Sequence, residues 1–288
     1  MVDAAAAQTT RDDASKAARW RARLELTYRR EHARSYLARR AHSGPLVVQK
    51  SLYPEGERVC QTIIVHPPGG IAGGDSLAIE VAIEPGAHVQ FTTPGAAKWY
   101  RSSGAAARQV VSLEIGDEGV LEWLPQEAIV FSGAIAEMEA AIDLAPTAVY
   151  VGWDIVCLGR TASGERFAAG RLSQRLSVRR AHALLFAERI ELCGGGAELD
   201  SPVVLNGAPI FGTLLAVAPA ITDAMLAGWR EVSAAEGDVS VTRLPGLMVA
   251  RYRGASCEAA KACFISLWAR LRPLLLGRDA VVPRLWST

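Results

Sequence analysis

Short runs of alternating apolar and polar residues fill the middle of the chain, and this period of two is typical of half-buried β-strands. In LAIEVAI (77–83), for example, Leu77, Ile79 and Val81 fall on one face. The other runs of this kind are HVQFTT (88–93), QVVSLEI (109–115), VLEWL (120–124), AEMEAAIDL (136–144), AVYVGWDIV (148–156) and ALLFAERIEL (183–192). Turn sequences such as EPG and GDEG separate them. The pattern therefore predicts a mainly β protein.

A loose repeat runs through these strands. The segments AIEPGAHVQF (82–91), EIGDEGVLEW (114–123) and DLAPTAVYVGW (143–153) each read as strand, short turn, and strand ending in an aromatic residue. Stacked hairpins are one interpretation. A chance similarity among strands of one meander is the other, and the sequence leaves both open.

The periodicity changes to that of helices only late in the chain. Thr222 is placed to cap a helix over 223–235, with an apolar stripe of Met225, Leu226, Trp229 and Val232. Ser256 is placed to cap a second helix, in which Pro273 is expected to introduce a kink or an end. Such stripes indicate core packing first and partner docking second. The fold expected is one strand-dominated domain over 19–288, with a few α-helices near the C-terminus, after a disordered, Ala-rich tail over 1–18.

Composition excludes several protein classes. Half of the 288 residues are apolar, which is sufficient for a sizeable core without disulfide bonds. The five cysteines include no C-x-x-C pair, and their scattered, odd number suits a reducing compartment. We find no signal-peptide pattern and no apolar run long enough to span a membrane. A cytoplasmic protein is expected.

Charge is distributed unevenly although the net charge is only +1. Residues 11–40 carry ten Lys/Arg against four Asp/Glu, and residues 243–288 carry eight against two, so both ends are basic and the middle is acidic. The ends are either ordinary solvated surface or docking sites for an acidic partner. Nucleic acid is not an expected partner, because no binding motif or interleaved stacking aromatics accompany the basic residues.

The glycine-rich loop HPPGGIAGGDSL (66–77) lies between two predicted strands. Its glycines do not match G-x-G-x-x-G, and a strand rather than a helix follows, so the loop lacks the features of a phosphate-binding site. Asp75 begins the outgoing strand. Its carboxylate is expected either to cap the turn or to be presented by the loop as a ligand.

Two other acids occupy apolar strands. Asp154 is flanked by Trp153 and Ile155, and alternation in ALLFAERIEL puts Glu188 on the face of Leu184, Phe186 and Ile190. A carboxylate in such a place must be paired, protonated or bound to a metal. The nearby arginines, including Arg160 and Arg171, are candidate ion-pair partners. Ligand or relay carboxylates are the functional alternative.

Motifs for enzymatic chemistry are scarce. The sequence contains neither G-x-S-x-G nor H-E-x-x-H, and the histidines show no metal-ligand spacing. Only His66, at the start of the glycine-rich loop, is of interest among them. Carboxylate pairs are compatible with a β-rich hydrolase, but their spacing does not establish one.

Several blocks of the sequence resemble a known family. HPPGGIAGGD (66–75), TTPGAAKWYRS (92–102), EWLPQEAIVF (122–131) and WDIVCLGR (153–160), together with GPLVVQKSLYPEG (44–56), are similar to the signature segments of the UreD (UreH) urease accessory proteins. They occur in the family's order over roughly residues 20–270, so the resemblance covers nearly the whole chain.

The resemblance implies a non-enzymatic scaffold in urease maturation. A protein of this family is expected to bind UreF, to reach the GTPase UreG through UreF, to contact apo-urease, and to help deliver nickel to it. The implied fold is a two-layered β-sheet body with a helix-like wind. Nickel is expected to pass transiently through an internal passage lined by acids, and the matching positions are Asp75, Asp154 and Glu188. The alternative is a docking scaffold through which no metal passes.

Overall fold

The computed structural model describes residues 19–287 and has eighteen strands and three α-helices in that range. The expected tail over 1–18 lies outside the described residues. The strands are β1 (Arg21–Glu31), β2 (Arg34–Ser43), β3 (Val47–Val48), β4 (Val59–Val65), β5 (Gly70–Ile71), β6 (Ser76–Ile83), β7 (His88–Thr92), β8 (Ala97–Trp99), β9 (Ala107–Ile115), β10 (Val120–Trp123), β11 (Ala128–Val130), β12 (Ile135–Leu144), β13 (Val149–Leu158), β14 (Arg171–Arg180), β15 (Ala183–Cys193), β16 (Ile210–Val217), β17 (Asp238–Leu244) and β18 (Leu247–Gly254). The helices are α1 (Ala197–Asp200), α2 (Asp223–Arg230) and α3 (Cys257–Leu276), with 3₁₀ turns at Thr161–Ser163 and Arg284–Ser287.

The strands form two sheets that are stacked as the coils of a β-solenoid, which confirms the expected mainly β, two-layered body. The first sheet has the order β15-β14-β12-β9-β6-β1-β2. The second sheet runs β17-β18-β16-β13-β10-β7-β4-β3, and the short strands β5, β8 and β11 pair beside it. Strands from successive coils pair in parallel, for example β6 with β9 and β7 with β10, while antiparallel strands such as β2, β15 and β16 complete the sheets.

The sequence repeat corresponds to the coils. Ile83, Ile115 and Leu144 are register partners at the ends of three successive strands in the first sheet. The chain then turns and enters the second sheet, where His88, Val120 and Val149 are register partners. The hairpin interpretation is wrong, because the two arms of each repeat lie in different sheets. The turns span the gap of about 10 Å between stacked sheets rather than the gap of about 4.8 Å between paired strands.

A main core lies between the inner faces of the two sheets, where alternate residues of each strand point. A β-bulge alters this alternation in β15, so that Phe186 pairs with Val178 but Leu184 pairs with Arg179. The expected inward position of Leu184 is therefore wrong: its side chain is exposed, and Leu185 contacts the core instead.

A second core lies between the outer face of the second sheet and the helices α2 and α3. Met225, Leu226 and Trp229 are buried there, which confirms the core-packing interpretation of the apolar stripe. The side chains of Thr222 and Ser256 cap the two helices as expected, accepting hydrogen bonds from the N–H groups of Met225 and Ala259.

The helix ends differ from the expected ones. Helix α2 ends at Arg230, short of the predicted residue 235. Helix α3 continues past Pro273 to Leu276 and ends where Gly277 adopts a left-handed conformation. Pro273 is tolerated because it lies in the last turn, where the missing N–H removes a single helical hydrogen bond. No helix within 19–287 is both long and apolar enough to cross a membrane.

Candidate functional site

An interior cavity of about 470 Å³ lies between the two sheets. Its walls are largely apolar and include Ile79, Val111, Met138, Trp123 and Tyr150. The lining extends from the glycine-rich loop, with His66 and Gly70, to the strands that carry Asp154, Gln174 and Thr213. The cavity therefore runs along the stack of coils, and polar side chains such as His66, Gln109, Gln126 and Asp154 are spread along its lining.

Asp154 lines this cavity from the middle of β13. Its carboxylate accepts a hydrogen bond of 2.8 Å from the Gln174 side chain of the facing sheet. Burial raises the pKa of Asp154 to about 6; the hydrogen bond from Gln174 acts in the opposite direction, and the negative charge of Glu188 adds to the rise. At neutral pH the carboxylate is thus a charged group whose ionisation is costly, a property common in functional sites.

The expected arginine partners of Asp154 are wrong. Arg160 pairs with Glu165, and Arg171 lies beside Glu137. Arg160 lies two residues beyond the end of β13, and Arg171 is the first residue of β14, whereas Asp154 points inward from the middle of β13. The neutral amide of Gln174 takes the place that an arginine was expected to fill.

Glu188 approaches the same point from β15. It forms an ion pair with Arg251 and accepts a 3.4 Å hydrogen bond from the Thr213 hydroxyl, and its side chain is 14% exposed. The ion-pair alternative is confirmed for this residue, but the partner is 63 residues away in the sequence rather than nearby. Such a non-local partner cannot be read from the local pattern.

Strand register explains why these side chains meet. Asp154 in β13 pairs with Thr213 in β16, and Thr213 pairs with Arg251 in β18, so the three residues form a row across the second sheet. Gln174 and Glu188 reach toward this row from the first sheet. We call the five residues the polar bridge, because their side chains connect the two sheets beside the cavity.

Asp75 is separate from the polar bridge. It is buried and accepts hydrogen bonds from the N–H groups of Ala72, at 2.8 Å, and Trp20, at 2.9 Å. Its carboxylate therefore caps the turn, as one of the two sequence interpretations expected, and it does not line the cavity. Glycine is required at position 73, because a Cβ there would come within 2.8 Å of the Ala105 carbonyl oxygen.

His66 lies where the glycine-rich loop meets the cavity. Its Nε2 atom is buried and has no hydrogen-bond partner within the described part of the chain. Burial lowers the pKa of His66, and the negative charge of Asp75 partly opposes this effect. The end of the cavity beside the glycine-rich loop therefore carries a neutral imidazole, and the Nε2 nitrogen of this imidazole makes no hydrogen bond to the described residues.

The structure also contains a buried charged cluster that sequence reasoning missed. Glu122 is inaccessible and contacts His88 at 2.6 Å, the Trp268 indole at 2.6 Å and the Arg272 guanidinium at 3.0 Å. Arg272 also binds Glu55, at 2.7 Å. We call these five residues the Glu122 network. The sequence feature that could have indicated this network is Glu122 within the apolar run VLEWL, just as Asp154 lies within an apolar strand.

The Glu122 network connects α3 to the strands β7 and β10. Burial opposes ionisation of Glu122, but the hydrogen bond from His88 and the charge of Arg272 outweigh it and lower the pKa of Glu122 to about 2. The network is thus a set of paired charges that attaches α3 to the second sheet. Within residues 19–287, no group of three or more His, Cys, Asp and Glu side chains is arranged to hold a metal ion.

Comparison with known proteins agrees with the resemblance in the sequence. The family model described as UreD urease accessory protein matches residues 20–287. Similar relatives are the urease accessory proteins UreD of Azoarcus sp. (strain BH72), 49% identical over 93% of this chain and 94% of the relative, and of Dechloromonas aromatica (strain RCB), 50% identical over 93% and 95%. The UreD of Nitrosococcus oceani is 50% identical over 93% of this chain and 90% of its own length. The chain belongs to the UreD family of urease accessory proteins.

Proposed function

We propose that this protein is a scaffold in urease maturation that links apo-urease to UreF and, through UreF, to the GTPase UreG, and that nickel passes through its interior toward urease. Family membership supports the urease accessory role, and the names of the relatives favour an accessory protein over the hydrolase alternative. The observation that supports the passage of nickel is the interior cavity, with the carboxylate of Asp154 in its wall and Glu188 nearby.

The chemistry of these groups suits a cation in transit. Imidazoles and thiolates hold late divalent metals strongly, whereas isolated carboxylate and hydroxyl oxygens hold them more weakly. Among the described residues, the hydrogen bond to the Asp154 carboxylate comes only from the neutral amide of Gln174, so its charge is available to a cation. Thr213 lines the same cavity and lies between Asp154 and Glu188. Several weak sites in sequence allow an ion both to bind and to leave.

Asp75 has a different position in this proposal. Both of its oxygens accept backbone N–H groups, so the carboxylate fixes the bend that brings Gly70 and Ile71 into the cavity wall. A direct contact of nickel with Asp75 stays a prediction from the family resemblance.

Substitutions of the two acids of the polar bridge test the transit. The Asp154→Asn and Glu188→Gln variants, and the double variant, are co-expressed with apo-urease, UreF and UreG. We expect nickel per urease and urease activity to fall severalfold, most in the double variant, while UreF still co-purifies with each variant. Asp143→Asn is the matched control, because Asp143 is an exposed acid on β12.

The alternative is a docking scaffold without metal transit, and the ion pair between Glu188 and Arg251 favours it, because that carboxylate already has a cationic partner. In this case the double variant would activate urease normally, which would refute transit past the polar bridge. A charge reversal in the basic N-terminal segment, such as Arg40→Glu at an exposed position of β2, would instead weaken complex formation.

A further inference from the structure

The interior cavity combines two features that a well-packed core avoids. Protein interiors contain few voids larger than a water molecule, yet this cavity has a volume of about 470 Å³. Buried carboxylates are normally paired with a cation or with several donors, yet Asp154 receives one hydrogen bond from the described residues, donated by the neutral Gln174 amide. Both features occur at one place, and a ligand that fills the space and carries a positive charge would remove both.

The Asp154 carboxylate is open to the cavity. Gln174 donates to one oxygen, Oδ2, at 2.8 Å, and no donor among the described residues reaches the other oxygen, Oδ1. Asp154 keeps accessible surface although its neighbours Trp153 and Ile155 are buried, because Asp154 lines the cavity whereas the neighbours pack in the second core. The Oδ1 oxygen can therefore accept a hydrogen bond from a ligand in the cavity.

Two aromatic side chains meet next to this carboxylate. Tyr150 and Gly152 lie on the same side of β13 as Asp154, because alternate residues of a strand share a face. Gly152 also pairs with Trp123 of the neighbouring strand β10. A Cβ at position 152 would come within 2.3 Å of the Tyr150 hydroxyl oxygen and 3.0 Å of the Trp123 Cβ, so both side chains lie close over the glycine. Aromatic faces beside a carboxylate favour an organic cation.

The opposite wall of the cavity suits a hydrocarbon group. The first sheet contributes mainly apolar side chains there, namely Val111, Met138, Ala140 and Leu176. Gly69, Pro94 and Gly95 also line the cavity, and they are exposed at the surface. The cavity therefore opens to solvent beside the glycine-rich loop, which gives a ligand an entrance.

The other charged residues of the lining lie at the surface. Lys98 and Arg175 are exposed, so solvent screens their positive charges. Glu139 is paired with Arg108 at 3.2 Å, and both of these side chains are exposed. Among the charged lining residues of the described chain, Asp154 is thus the one that presents its charge to the interior.

We propose that the interior cavity is a binding site for a small organic cation with an apolar body, a primary amine on a compact hydrocarbon frame. The ammonium group donates a hydrogen bond to Oδ1 of Asp154 and lies against the faces of Tyr150 and Trp123. The hydrocarbon frame fills the space toward the apolar wall of the first sheet. The volume of the cavity is within the range of small-molecule sites, about 300–1,000 Å³.

This site goes beyond nickel transit and does not depend on it. The ligand is a monocation whose hydrocarbon part needs the apolar walls, which a metal ion does not. Both would use Asp154, so a bound amine should also slow the activation of urease if nickel passes through the cavity. An amine that binds while urease is activated normally would support this site and count against transit.

Three probes of one shape and different charge test the proposal: 1-adamantylamine, 1-adamantanol and adamantane-1-carboxylate. Isothermal titration calorimetry with the full-length protein at neutral pH, without urease or nickel, measures the affinity for each probe. We expect the amine to bind about tenfold more tightly than the alcohol, because only the amine carries the charge that Asp154 attracts. The carboxylate should not bind. Equal affinity for the amine and the alcohol, or no binding of the amine, would overturn the proposal.

Substitutions locate the site. Asp154→Asn should lower the affinity for the amine about tenfold and leave that for the alcohol unchanged. Ala140→Phe should abolish the binding of both probes, because the ring fills the cavity. The exposed Asp143→Asn is the matched control for charge and should bind the amine like the wild-type protein. Unchanged affinity of a folded Asp154→Asn variant for the amine would also contradict the assignment, and the comparison of probes on the wild-type protein decides the question even if Ala140→Phe fails to fold.

Discussion

At the scale of single residues, Asp154 links stability to pH. Its pKa in the folded protein, about 6, lies above the ordinary value of 3.8. The folded state therefore holds its proton more tightly than the unfolded state does. The cost of ionising Asp154 is absent below pH 4, grows as the pH rises toward 6, and is complete above that value.

We predict that Asp154→Asn stabilises the protein at about pH 8 by about 1–3 kcal/mol and changes stability little at about pH 4. The amide has no ionisation cost and keeps hydrogen-bonding capacity toward Gln174. Urea denaturation of both proteins at both pH values measures the difference, with the exposed Asp143→Asn as control. An equal effect at the two pH values would mean that packing rather than charge is responsible.

The sequence could identify these acids but not their partners. Alternation in β15 was sufficient to place Glu188 on an inward face, because it is a local property. The apolar neighbours of Asp154 in β13 indicated a carboxylate that needs a partner. The contact of Glu188 with Arg251 depends on the meeting of two different sheets, and no local signal specifies it. The reversed orientation of Leu184 was missed for a related reason: the bulge in β15 is a feature of strand pairing.

At the scale of elements, Arg272 fastens α3 to the second sheet. Its guanidinium is buried against the carboxylates of Glu122 and Glu55. We predict that Arg272→Leu lowers the free energy of unfolding by about 3–5 kcal/mol, because the buried carboxylate of Glu122 loses its arginine and Glu55 keeps only the weaker pair with Arg278, at 3.7 Å. Arg270→Leu, on an exposed face of the same helix where Arg270 pairs with Glu231, should change it by less than about 1 kcal/mol.

The same substitution should alter acid sensitivity. In the wild-type protein the pKa of Glu122 is lowered to about 2 from an ordinary 4.5, so its stabilising contribution is present above pH 4.5 and is lost as the pH falls toward 2. Without Arg272 part of that lowering disappears, and the decline in stability over this range should be shallower. Chemical denaturation of both proteins between pH 5 and about 2.5 measures the two slopes; parallel curves would contradict the assignment.

Elements with a clear period were predictable, and those without one were not. The alternating runs predicted β6, β9 and β12, and the capping residues predicted the starts of α2 and α3. By contrast, β16 (IFGTLLAV) is buried on both faces. Its continuous apolar run has no period that separates a strand from a buried helix. The end of α3 depended on Gly277 and not on Pro273, whose cost in a final turn is small.

At the scale of the whole molecule, the stacking of coils creates the cavity. Successive turns are hydrogen-bonded to one another, as from the Gly86 N–H to the Asp117 carbonyl and from the Glu118 N–H to the Thr147 hydroxyl. This stacking keeps the two sheets in register along the body. The sequence repeat corresponds to the coils, but from the sequence it was interpreted as stacked hairpins or as chance similarity, because coils and hairpins use the same strands and turns. The cavity depends on how the facing side chains fill the gap, which a single sequence does not specify.

The cavity can be filled without touching the polar bridge. Ala140 of β12 lines it between Val111 and Leu176, whereas the next residue, Ala141, points to the opposite side of the same strand. We predict that Ala140→Phe reduces nickel loading and activation of urease severalfold, because the ring occupies space through which the ion would pass, while UreF still co-purifies. Ala141→Phe is the matched control and should activate urease normally. Equal activation by the two variants, with thermal melts showing both folded, would place the nickel route outside this cavity and leave the protein a docking scaffold.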